Sequence, residues 1–148
     1  MNSLHRSLCC VATLLGLALP AAASADEQVQ AWREQARAYE HGSGVQRDMG
    51  TALDLYCKAA LAGDVLALYR MGWIYTNGRG VERNDAFAAH LFQQAAALGD
   101  EVSRNMLSLV GSHTAKPPCT VQAEAEEARR QAEVQAAAEL AATQAAQE

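Results

Sequence analysis

Apolar residues recur at helical spacing in five short segments of this chain, each followed by glycine, and one long alanine-rich stretch comes after them. The pattern is plainest over Val65–Asn77, where Ala67, Met71, Ile74 and Tyr75 form one stripe at the 100° step of a helix. The same reading predicts helices over Gln30–Glu40, Gly50–Ala62, Asp85–Leu98 and Glu101 to about Gly111. Gly42 and Gly78 stand just past two of these helices, where a left-handed cap favours glycine, and Gly63 and Gly99 close two others. Asp48 and Asn84 are suited to cap the helices that follow them. The predicted class is all-α.

These segments are copies of one unit. Tyr39-Glu-His-Gly42-Ser-Gly44-Val45 returns thirty-six residues later as Tyr75-Thr-Asn-Gly78-Arg-Gly80-Val81. The same offset carries Arg47 to Arg83, Ala52 to Ala88, Leu55 to Leu91, Tyr56 to Phe92, and Ala59-Ala60 to Ala95-Ala96. A unit recurring in register marks a solenoid, in which each copy buries its apolar face by stacking on a neighbour. Small alanine pairs let adjacent helices approach closely, and Val45 and Val81 are expected to turn back and plug the gap between the two helices of a unit. The units run over about residues 30–65 and 66–101, with a partial third over 102–111 that lacks the Gly-x-Gly-Val loop.

These residues resemble the Sel-one-like repeats, relatives of the tetratricopeptide repeat. Ala67, Met71, Gly72, Tyr75, Gly78, Gly80 and Val81 match the first half of that family's pattern, and Ala88, Phe92, Ala95, Ala96 and Gly99 match the second. The earlier copy departs at Gln35 and Ala36, where leucine and glycine are usual. The resemblance implies a short right-handed α-solenoid of helix-turn-helix repeats that holds partner proteins.

The chain begins with a leader. Arg6 precedes an apolar run from Ser7 to Leu19, then Pro20 and the small residues Ala23-Ser24-Ala25, so residues 1–25 read as a signal peptide cut before Asp26. The run is shorter than the roughly 18–20 residues of a membrane span, which disfavours an uncleaved anchor. Cys9 and Cys10 lack the leucine of a lipid-attachment motif. The expected product is exported, most naturally to the bacterial periplasm, without stable membrane insertion after cleavage. Its formal charge moves from −5 to −6 with the loss of Arg6, and an acidic product without a basic cluster disfavours nucleic acid.

Only Cys57 and Cys119 lie beyond the leader. In an oxidising compartment two thiols suggest one disulfide; two free thiols or an intermolecular bridge are the rival arrangements.

Candidate chemistry is sparse. The Gly-x-Gly loops follow helices and carry Arg47 and Arg83 where a dinucleotide fingerprint has its third glycine. His41, His90 and His113 have no ligand spacing, no nucleophile motif appears, and the carboxylates read as solvated helix faces. No enzyme, metal or cofactor is therefore expected. Leu66, Tyr69 and Trp73 form a second apolar stripe, nearly opposite the first, that the repeat does not demand, since the first unit has Gln30, Arg33 and Arg37 there. It is either core between neighbouring helices or a groove for a protein partner, for which Trp and Tyr are favoured residue types. Trp32 is read as a second exposed aromatic.

Residues 112–120 read as a linker in which Pro117-Pro118 breaks helix, and Val121–Glu148 as a helical or frayed tail of net charge −4. Val121, Val134 and Leu140 keep no heptad register there. The leading expectation is a periplasmic interaction module. A second is an accessory of cell-wall enzymes, because the exported repeats of lytic-transglycosylase-like proteins are similar and also carry a cysteine in the second repeat helix and another after the array. A third, β-lactam hydrolysis, belongs to relatives with a cysteine pair in every repeat; here Cys57 aligns with Gln93.

Overall fold

The starts of the first five helices are set by side chains that satisfy otherwise orphaned backbone N–H groups, and glycine stands at or just past their ends. In the computed structural model, which describes residues 24–146, six helices result: α1 (Ala25–His41), α2 (Met49–Leu61), α3 (Val65–Asn77), α4 (Asp85–Ala97), α5 (Glu101–Val110) and α6 (Pro118–Ala145). The segment up to residue 23, which holds most of the expected leader with Cys9 and Cys10, lies outside the described residues. Asp48, Asp64, Asn84 and Asp100 each accept a hydrogen bond from the N–H three residues on, at 3.1, 2.7, 2.9 and 2.8 Å. Gly42 and Gly78 cap α1 and α3 with φ of 71° and 59°, conformations that a side chain would strain.

Two boundaries differ from expectation for local reasons. α1 begins five residues before Gln30 because Ser24 and Glu27 form a reciprocal capping box, each side chain bonding the other's backbone N–H. Cleavage before Asp26 would remove that cap. Pro117-Pro118 starts a helix instead of breaking one: Pro118 is the first residue of α6, where a missing N–H has no partner to lose.

Each of α1 to α5 packs on the next, giving a helix-turn-helix repeat solenoid with a helical C-terminal segment. Its core comprises Ala36, Tyr56, Ala59, Ala67, Leu68, Met71, Ile74, Leu91, Phe92 and Ala95, all essentially inaccessible to water. Val81 packs against this core, whereas Val45, expected to do the same, is 39% exposed. The reason is positional, since among the described residues no unit stands before the first to cover it. At the other end Arg104 and Ser108 stand in α5 where α3 has Leu68 and Gly72, and both are exposed. These polar side chains replace the small and apolar ones with which α3 packs on its neighbours, and no further repeat unit follows among the described residues.

The chain then doubles back. The Ala115 N–H bonds the Ala86 carbonyl on α4 at 3.0 Å, Pro117 is fully buried, and Cys119 joins Cys57 of α2 in a disulfide with Cα atoms 6.5 Å apart. Lys116 reaches both carboxylate oxygens of Glu124 at 2.6 Å. Beyond Ala123, α6 is solvent-exposed along its described length.

Candidate functional site

α3 is the central helix of the array and carries apolar side chains on both of its sides. Ala67, Leu68, Met71, Gly72 and Ile74 are buried against α2 and α4. On the other side Leu66 is 56% exposed, and Tyr69 and Trp73 are half-buried. Tyr69 leans on Phe92, with ring centroids 6.0 Å apart. Trp73 packs against the edge of the core and lies under the Arg79 guanidinium, 5.5 Å from its ring centroid. The stripe is thus neither core nor bare surface: one anchor is open and two are held in place by their neighbours. Trp32 is not part of it. It occupies the α1 position equivalent to Leu68 and is half-buried against the core, so the exposed aromatic expected there is a packing residue.

Arg79 belongs to a polar cluster that the carboxylate reading missed. Glu40, expected on a solvated face, has a side chain with no exposure at all. The Tyr56 hydroxyl donates to its Oε2 at 2.8 Å. Its Oε1 lies 3.8 Å from both the Arg79 guanidinium and His41 Nε2, with no hydrogen bond of its own. Arg79 also meets His41 Nδ1 at 3.4 Å, and Arg47 donates to the Glu40 carbonyl. Burial, and then the bond to Glu40, push the Tyr56 phenol well above its ordinary pKa, so it remains a donor. A signal for this cluster was present in the repeat register: Glu40 and Tyr56 become Thr76 and Phe92 together.

Between α1 and α3 runs a groove of about 200 Å³ lined by Arg33, Glu34, Arg37, Tyr56, Leu66 and Arg70. Arg33 and Leu66 also border a second hollow of about 460 Å³, closed by Val29 and Val65 and by the turn Ala62-Gly63-Asp64. Arg33 is ion-paired with Asp64. Arg37 and Arg70 have no ion-pair partner among the described residues.

Among the described residues no group of three His, Cys, Asp or Glu is placed to hold a metal ion, and no helix is long and apolar enough to cross a membrane. His90, on α4 beside the returning segment, is held below the usual histidine range by burial and then by the Lys116 charge.

Comparison with known proteins places the array. The Sel1 repeat family matches residues 36–64 and 65–100. A protective antigen of uropathogenic Escherichia coli strains, with an SLR fold, is 38% identical over 53% of this chain at a TM-score of 0.52. That match takes in only 17% of the antigen. A Sel1 repeat protein from Oxalobacter formigenes is 29% identical over 70% of this chain and 80% of its own, again with a TM-score of 0.52. No curated protein sequence matches. The repeat register, the glycine-capped helix pairs and these likenesses converge: over residues 36–100 the chain matches two consecutive Sel1 repeats.

Proposed function

We propose that this chain is a protein-interaction module, exported to the periplasm, that presents the Leu66, Tyr69 and Trp73 face of α3 to a partner. The observation that carries the reading is the state of that face. Leu66 is 56% exposed on the central helix, beside two aromatics held half-buried by Phe92 and Arg79. An open aliphatic anchor flanked by pre-positioned Tyr and Trp side chains is the make-up of an interface hot spot. The repeat register does not require it, since the first unit carries Gln30, Arg33 and Arg37 at the equivalent positions. The reading assigns no catalytic residue.

A second reading, an accessory of cell-wall enzymes, is favoured by the cysteine placement. The bridge runs from the second helix of a repeat to the segment after the array, the positions in which similar exported repeats of lytic-transglycosylase-like proteins carry cysteines.

Cross-linking of the tagged chain in intact cells, followed by mass spectrometry, tests the proposal. Leu66→Glu is the better probe, because an exposed leucine accepts a charge without unfolding the array. Capture of one envelope protein, lost in Leu66→Glu and in a folded Trp73→Ala, is the expected result. Capture that is equal in all three proteins would remove α3 as the docking face.

A further inference from the structure

We propose that the groove between α1 and α3 receives an extended acidic segment of a partner protein, with its carboxylates on Arg37 and Arg70 and an apolar side chain against Leu66. This deepens the interaction-module reading and rests on it.

Charge is the first argument. The chain as a whole is acidic, at −5, yet three arginines line this groove against one carboxylate, Glu34. Glu34 is already engaged by the Gln30 amide at 2.8 Å, and Arg33 by Asp64. Arg37 and Arg70 remain, on facing helices, with no carboxylate of this chain within ion-pair distance among the described residues. Arg70 is half-buried, so part of its hydration is already lost before any ligand arrives. A guanidinium presents a planar fork that matches a carboxylate with two parallel hydrogen bonds.

Size is the second. A hollow of about 200 Å³ accommodates one or two side chains of an extended strand and is too small for a helix about 10 Å across. Leu66, which lines both hollows, supplies the apolar contact between them. Trp73 lies two helical turns from Leu66 along α3 and continues the same face.

The test uses the full chain and fluorescein-labelled decapeptides of alternating glutamate and leucine, or glutamine and leucine, read by anisotropy. The glutamate peptide is expected to bind about tenfold more tightly, and raising the salt to about 0.3 M to erase most of the difference. Arg37→Glu with Arg70→Glu should abolish the preference. Lys58→Glu, an exposed charge on α2 outside the groove, should leave it intact. Equal binding of the two peptides, no binding of either, or an equal loss in Lys58→Glu would overturn the inference. So would a peptide of residues 121–148 binding more tightly than the glutamate peptide, which would make the occupant the acidic tail of a second copy. If cellular cross-linking still captures a partner through Leu66 while no acidic peptide binds, the module stands and its ligand chemistry is different. If neither experiment yields a ligand, both readings fall.

Discussion

Tyr56 and Phe92 occupy the same place in successive units, and their rings are held by different means. Tyr56 is fixed by a hydrogen bond, its hydroxyl donating to the buried Glu40 at 2.8 Å. Phe92 is fixed by shape: a Cβ added at Gly72 would come within 2.7 Å of its ring, and Thr76, at the position of Glu40, turns its hydroxyl to its own helix and bonds the Gly72 carbonyl. The first unit has Ala36 where the second has Gly72. The loops differ in the same sense. Gly80 lies so close to Met49 of α2 that a Cβ would meet its side chain at 2.4 Å, whereas Gly44 has open space beside it. The inner unit has neighbours on both sides and fits by close contact. The outer unit has no neighbour before it among the described residues and is held by specific bonds, the Glu40–Tyr56 pair and the Cys57 bridge, whose counterpart in the second unit is the exposed Gln93. In an array where stability is the sum of units and their interfaces, a terminal unit has the most to gain from such staples.

The strongest way to break this comparison is to reduce the disulfide. Closing a 62-residue loop contributes roughly 4 kcal/mol in the chain-entropy view, so reductant should lower the melting temperature by more than about 10 °C. A melting curve indifferent to reductant would remove the staple from the account.

Next come the substitutions that turn the first unit into the second. Tyr56→Phe leaves a fully buried carboxylate without its donor, and Glu40→Thr leaves a buried hydroxyl without its acceptor; each should cost about 1–3 kcal/mol. The double variant reproduces the Thr76 and Phe92 pair and should recover about 1 kcal/mol or more of the summed loss in a denaturant-unfolding cycle. Additive losses would mean that the two side chains do not act together.

Gly72→Ala tests the fit by shape. Phe92 is fully buried, so its ring has little room to yield, and a loss of about 1–3 kcal/mol is expected. Phe92→Leu should relieve part of that loss. Wild-type stability in Gly72→Ala alone would show that the ring is freely displaced.

The smallest expected effect is a gain. Ser103 of α5 sits with no exposure in the slot that Ala67 fills in α3, and its hydroxyl has no hydrogen-bond partner among the described residues. Ser103→Ala should stabilise by about 1 kcal/mol and raise the melting temperature by a few degrees. A lower melting temperature would reveal a bond to the hydroxyl.

Much of this was legible beforehand because it depends on local rules. Periodicity, glycine caps and Asp or Asn starts located α2 to α5 to within a residue or two at each end, and the thirty-six-residue register marked the repeat. The misses have specific causes. The α1 start was masked because its capping residue, Ser24, lies inside the expected leader. Val45 matches Val81 in register, but equivalence in register is not equivalence in neighbours. The residue type of Trp32 suggests an exposed aromatic, but its register position is that of the buried Leu68. Glu40 is the instructive case. A glutamate next to a helix end reads as solvated from any local pattern, and its burial follows from a loop thirty-nine residues away that brings Arg79 over it.

Helix positions and the repeat itself follow from the order of residues, because spacing, caps and glycines act within a few bonds of where they stand. Which of two equivalent residues is buried, whether Tyr56 finds an acceptor, and that Arg37 and Arg70 face one groove without ion-pair partners among the described residues were decided only when the units stacked. Burial and charge pairing are properties of the space between units, and that space exists only after each unit has met its neighbour.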